Sequence, residues 1–201
     1  LQSNGTIWGW GNNSYGQLGQ SNNTHYSSPV QIGASNSATT SLWTQIACGY
    51  GGQHVLAIQS NGTLWSWGYN SFGNLGQNDI INRSSPVQVG TNTNWKQVIF
   101  VGLHTLAIKT DGTLWAWGNN TRGQLGVNNT VAYYSSPIQI GTSSWSVISA
   151  SRLNSFAVTI TGALFAWGAG GDSKLGGYTP GTKIMSPVQI GTSSWIALSS
   201  S

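Results

Sequence analysis

The chain has 201 residues, of which only 5% are charged, against about a quarter in ordinary soluble domains. Its polarity comes from Asn, Ser, Thr, Gln and Gly instead, and an aromatic content of 11% excludes a disordered chain, which lacks aromatics and carries charge. The formal net charge of +4 arises from seven cations that are never adjacent, set against three carboxylates. That is not the clustered Lys and Arg that displaces counterions from phosphates, so nucleic-acid binding is not expected.

The first five residues match Ile58-Gln59-Ser60-Asn61-Gly62 further on, so the chain begins inside a repeat. Asn4-Gly5-Thr6-Ile7-Trp8-Gly9-Trp10-Gly11 follows, a turn signal, a short aromatic strand and a closing glycine. The same stretch returns at residues 61–68, at 111–118 and, with Phe165 for one tryptophan, at 161–168. Its closing tryptophans fall at positions 10, 67, 117 and 167, hence 57, 50 and 50 apart. A fixed period of this size means a repeat architecture.

Each aromatic strand leads to a Gly-Gln-Leu-Gly element at residues 16–19, 73–76 (with Asn74) and 123–126, degraded to Ser173-Lys174-Leu175-Gly176 in the last copy. A segment of variable length comes next. Then Ser-Pro-Val-Gln-Ile-Gly or a close variant appears at residues 28–33, 85–90, 136–141 and 186–191. Its proline suits an edge strand, where a missing N–H does no harm. A strand led by Trp43, Trp95, Trp145 or Trp195 follows, and after it His54-Val55-Leu56-Ala57-Ile58, His104-Thr105-Leu106-Ala107-Ile108 or Asn154-Ser155-Phe156-Ala157-Val158. Four short strands per unit with no helical periodicity predict an all-β chain, a β-propeller of four-stranded blades. The boundaries predicted are a partial blade at 1–42, blades at 43–94, 95–144 and 145–194, and the start of a further blade at 195–201. The bulky Trp65 and Trp67 flank the small Ser66, as Trp115 and Trp117 flank Ala116, so a bulky face packs against a small one.

These residues resemble the repeat family of the regulator of chromosome condensation. Its pattern is His-x-Leu-Ala, Asn-Gly or Asp-Gly, a strand ending in Trp-Gly, and Asn-x-x-Gly-Gln-Leu-Gly, all in one order. The resemblance covers nearly the whole chain. It implies a ring of typically seven blades, of which this chain would form an arc or fragment of about four repeats. Strand edges and aromatic faces at the two ends are then expected to be covered by further repeats of the same chain, by a neighbouring subunit, or by closure of residues 195–199 onto the first blade. Light sensing occurs in the family through tryptophans just before the strand histidine. Gly52-Gln53 and Gly102-Leu103 stand there, so that function is not implied.

The residues offer little catalytic chemistry. All eleven tryptophans, Trp8, Trp10, Trp43, Trp65, Trp67, Trp95, Trp115, Trp117, Trp145, Trp167 and Trp195, fall in the repeat register and are expected in the core. His54 and His104 are expected to be hydrogen-bonded structural residues, since a metal site needs three or four converging ligands. Asp79, Asp111 and Asp172 are the only carboxylates, and Asp111 occupies a turn position. No nucleophile elbow and no phosphate loop is present, so no enzyme, cofactor or metal site is expected. Cys48, the single cysteine, allows no intrachain disulfide, and Phe100 and Ala150 at its place in later copies predict a buried apolar position. No run of about 18 apolar residues exists, so no membrane insertion is expected. Seven Asn-x-Ser/Thr sequons reflect the abundance of these residues.

The frame repeats, and the segment after each Gly-Leu-Gly loop does not. The candidate binding-loop residues are therefore His25, Tyr26, Asp79, Arg83, Tyr133, Tyr134, Tyr178 and Lys183. The low charge points to a non-catalytic binding or structural propeller outside the cytoplasm, on a cell surface, virion or fibre, meeting a protein or glycan partner. Two alternatives stay open: an intracellular regulator of the nucleotide-exchange or chromatin-docking type, and a secreted enzyme inhibitor.

Overall fold

The computed structural model describes residues 1–33, 42–48, 53–170 and 182–199, and among these there is no helix. A two-stranded hairpin, β1 (Trp8–Gly11) and β2 (Tyr26–Gln31), comes first. Three four-stranded antiparallel sheets follow. The second blade holds β3 (Trp43–Cys48), β4 (His54–Gln59), β5 (Leu64–Gly68) and β6 (Arg83–Gln88), in that spatial order. The third holds β7 (Trp95–Val101), β8 (His104–Lys109), β9 (Leu114–Asn119) and β10 (Tyr133–Gln139). The fourth holds β11 (Trp145–Ala150), β12 (Asn154–Thr159), β13 (Leu164–Ala169) and β14 (Lys183–Gln189). The chain is thus all-β, built of propeller blades.

Each aromatic strand starts from a locked turn. Asn61 Oδ1 accepts the Thr63 N–H at 3.1 Å and the Thr63 hydroxyl at 2.7 Å, and Thr63 Oγ1 accepts the Trp65 indole N–H at 2.9 Å. Asn4, Thr6 and Trp8 make the same lock, as do Asp111, Thr113 and Trp115. In the fourth blade Ala163 has lost the hydroxyl and Phe165 the indole, so donor and acceptor vanish together and nothing buried is left unpaired. At the outer edge, Pro86 and Pro137 lie where the ladder shifts register, between Gly68 and Ser66 and between Tyr134 and Ile138. The strands there begin three residues or more before the proline, earlier than the sequence suggests.

Blades join through the closing tryptophans. Trp67 Nε1 donates to the Gln17 carbonyl (2.9 Å), Trp117 Nε1 to that of Asn74 (3.0 Å) and Trp167 Nε1 to that of Gln124 (2.9 Å). Each acceptor sits in the glycine loop of the preceding blade. All three of these indoles are fully buried. The leading tryptophan of each blade caps them: Trp43 packs on Trp65 and Trp67, Trp95 on Trp115 and Trp117, and Trp145 on Phe165 and Trp167, with centroids 5.2–6.4 Å apart.

Three tryptophans expected in the core are exposed. Trp8 is 38% exposed, Trp10 61% and Trp195 42%. The cause is the same trio: no described residue supplies a leading tryptophan to Trp8 and Trp10, and none supplies Trp195 with its two partners. Residues 195–199 form no strand either, although the Trp195 N–H still reaches the Gly162 carbonyl (2.9 Å) as Trp95 and Trp145 reach theirs. A strand needs a ladder partner, and none of the described residues provides it. Cys48 is likewise exposed, whereas Phe100 at its place is buried by stacking on His54 of the preceding blade at 3.7 Å. No described histidine stands opposite Cys48.

Candidate docking face

Successive strands alternate in direction, so the β5–β6 and β9–β10 loops and the β7–β8 and β11–β12 turns all leave the blades at one end. The locked turns leave at the other. Each long loop is built around a buried asparagine. Asn13, Asn70 and Asn120 accept the Leu18, Leu75 and Leu125 N–H groups at 2.8, 2.9 and 3.1 Å. Their amide groups donate to carbonyls on the far limb of the loop, those of Asn22, of Asp79 and Ile81, and of Asn129 and Val131. The loop is then stitched to the next blade: the N–H groups of Ser21, Asn78 and Asn128 donate to the carbonyls of Ser84, Ser135 and Met185.

A second fastener spans the base of each tip. Asn22 Nδ2 donates to the Tyr26 hydroxyl (3.1 Å), Arg83 pairs with Asp79, and Asn129 Nδ2 donates to the Tyr134 hydroxyl (2.6 Å). Burial raises the Asp79 carboxyl, but hydrogen bonds from the Ile81 N–H and the Arg83 guanidinium, with the Arg83 charge, outweigh it and hold it below the ordinary carboxylate value. His25 is engaged too, its Nδ1 accepting the Asn13 N–H at 2.9 Å. Five of the candidate residues, His25, Tyr26, Asp79, Arg83 and Tyr134, therefore hold their own loops. Tyr133 and Lys183 are exposed and make no such bonds among the described residues, and Tyr178 lies outside them.

What the fasteners present is the tip between them. Ile80 is 50% exposed, Ile81 62% and Val131 49%, aliphatic side chains held outward in largely polar loops. Sequence reasoning passed over them, although an Ile-Ile pair in a polar loop is a readable signal. Leu153 joins them on this face from the β11–β12 turn. Cations collect here as well: Arg83, Arg122, Arg152 and Lys183, with Asp79 the one carboxylate among the described residues of this end. The opposite end carries Lys96, Lys109 and Asp111. Lys109 is buried there, its Nζ 3.9 Å from the Trp115 ring centroid, and burial lowers its pKa. Among the described residues no group of His, Cys, Asp and Glu could hold a metal ion.

Comparison with known proteins agrees with this geometry. The pattern described as the regulator of chromosome condensation (RCC1) repeat matches residues 4–58, 61–108 and 111–158. The ultraviolet-B receptor UVR8 of Arabidopsis thaliana is 34% identical over 86 residues, covering 43% of this chain and 18% of the receptor. Human WBSCR16 superposes with a TM-score of 0.80 at 24% identity, over 94% of this chain and 48% of that protein. Prp20p of Saccharomyces cerevisiae gives 0.79 at 20%, with the same coverage. The chain thus spans about half the length of these solved propellers. The repeat pattern covers most of the chain and the fold agrees with it, and the chain belongs to the RCC1 repeat family.

Proposed function

We propose that this chain is a non-catalytic, protein-binding propeller segment that meets its partner through the loop face of its blades. The observation that carries the reading is the fastened loop: a fixed polar bracket holds residues that change from blade to blade, Asn23-Thr24, Ile80-Ile81 and Thr130-Val131. Aliphatic side chains held out of a polar loop, ringed by cations, suit a protein surface better than a sugar, which asks for open aromatic faces. The placement outside the cytoplasm belongs to the same proposal and rests on the 5% charged composition.

Capture of a partner from the native source tests the reading. A variant with Ile80, Ile81 and Val131 all changed to Ser is expected to lose the partner, and Lys96→Ala, at the other end, to keep it. Retention by the triple variant overturns the loop face. Recovery of the native protein from cytosol alone overturns the placement and leaves the binding mode standing. A second reading, an intracellular regulator, is favoured by the relatives, since Prp20p binds Gsp1p and histones. Accelerated nucleotide release from a small GTPase separates the two.

A further inference from the structure

Between the third and fourth blades the loop face holds a cleft of about 170 Å³. Leu103, Asn119, Thr121, Gln124, Arg152 and Leu153 line it. Asn119 is only 7% exposed. Its Oδ1 takes three donors, the Thr121 N–H at 3.0 Å, the Thr121 hydroxyl at 2.8 Å and Gln124 Nε2 at 2.8 Å. That fixes the amide orientation and leaves Nδ2 with no acceptor among the described residues. The Arg152 side chain is exposed and has no acceptor among them either. Three acceptors in the lining are meanwhile occupied. Gln124 Oε1 takes the Arg122 N–H (2.8 Å), the Leu103 carbonyl takes the Asn119 N–H (2.8 Å), and the Leu153 carbonyl takes the Ala169 N–H (3.1 Å).

The cleft therefore offers a cationic fork and an oriented amide donor, with nothing to pair them, between two leucine side chains. An amide donor already fixed in orientation and open to the cleft loses little freedom when an acceptor arrives, and a charged acceptor shared with Arg152 makes the stronger, charge-assisted kind of hydrogen bond. Asn12 of the first blade accepts the same bonds, from the Ser14 N–H and Gln17 Nε2 at 3.0 Å each, so it is the pairing of such an asparagine with Arg152 that marks this cleft. At the junction of the second and third blades, Tyr69 stands in the place of Asn119 and Gly102 in that of Arg152, so neither donor is needed to join blades.

We infer that this cleft is a docking site for an acidic side chain of a protein partner: a glutamate carboxylate bridges Arg152 and Asn119 Nδ2, and neighbouring aliphatic groups rest on Leu103 and Leu153. The exposed Arg122 and Lys183 on the same face favour an acidic segment around it. This rests on the protein-binding reading of the loop face and names the partner's chemistry.

The test is a titration of the isotopically labelled chain with N-acetyl-Leu-Glu-Leu-amide, its glutamine counterpart and inorganic phosphate, followed by nuclear magnetic resonance. The glutamate peptide is expected to shift the Asn119 side-chain amide and Arg152 Nε–H signals, and the glutamine peptide to leave them in place. Arg152→Ala, an exposed position, is expected to weaken binding at least about tenfold, the loss of one charge-assisted contact, with the rest of the spectrum unchanged. Lys96→Ala is expected to bind as the parent does. No shift at either signal, an equal response to glutamine, or undiminished binding by Arg152→Ala overturns the inference. An equal response to phosphate overturns it in favour of a phosphate-bearing ligand. Partner capture through Ile80, Ile81 and Val131 is read separately, so the cleft can fail while the loop face stands.

Discussion

At the scale of single residues, the closing tryptophans do two jobs with one side chain. Trp117 fills the junction between blades and ties it to Asn74, whose carbonyl also takes the Thr105 hydroxyl at 3.3 Å. Trp117→Ala is expected to cost roughly 3–5 kcal/mol, the range for large aromatic core truncations. Trp117→Phe, which keeps most of the volume and removes the donor, should cost about 1–3 kcal/mol, the penalty of an unmade buried bond. Urea unfolding midpoints measure both, and an unchanged midpoint for the alanine variant would contradict the junction. The histidines act differently. Ser155 Oγ donates to the Gln124 carbonyl (2.7 Å), so it accepts from His104 Nε2–H (2.9 Å), and His104 Nδ1 is left bare and buried. Burial alone lowers His54 to about 3 and His104 to about 4. Unfolded histidines titrate near 6.5, so the unfolded chain takes up these protons first. The stability the neutral rings contribute is complete above pH ~6.5 and is lost as pH falls through about 4 and 3, with a slope of up to about 1.4 kcal/mol per pH unit for each ring. Substituting Asn at both positions, the residue the fourth blade carries at 154, should flatten that decline. Identical pH profiles would show that other groups govern it.

At the scale of elements, the strands were readable because their chemistry repeats: turn, aromatic strand and proline edge appear as words in fixed order. The loops were not, because a residue such as Asp79 or Tyr134 looks like a binding group in sequence whether it faces a partner or fastens its own loop. Only the facing residue, Arg83 or Asn129, decides between the two, and that pairing is made by the fold. The glycines of the loop give the sharpest element-scale test. Gly73 has φ 68°, and a Cβ there would enter the Ser135 Cα of the next blade. Gly90 has φ 60° with nothing within 4 Å of the same atom. Gly73→Ala should therefore cost about 2–5 kcal/mol, strain plus a backbone collision, and Gly90→Ala about 1–2 kcal/mol, strain alone. Equal costs, measured by thermal and urea unfolding, would mean that the loop shifts freely against its neighbour.

At the scale of the molecule, one blade meets the next, and stability is approximately a sum of blade terms and junction terms. Trp10 and Trp67 occupy the same place in the repeat but differ in what lies over them. Trp10→Ser should change stability by less than about 0.5 kcal/mol and reduce self-association, since it removes an exposed ring from an apolar face. Trp67→Ser should unfold the hairpin–blade junction. Light scattering and denaturation read the two effects, and a large stability loss at Trp10 would reveal a cover that the described residues lack.

Each junction repeats one bond from an indole N–H to a loop carbonyl and one from a loop N–H to an outer-strand carbonyl, so the seams share these two connections even where their side chains differ. Excising residues 95–144, one whole period, would bring the Asn74 carbonyl opposite the Trp167 indole and the Asn78 N–H opposite Met185, the same chemistry with new neighbours. Length in such a chain changes in quanta. Copying errors that add or drop a complete unit are then milder than the loss of a few residues inside one, and unequal recombination becomes a route by which the number of blades can drift while every seam stays closed.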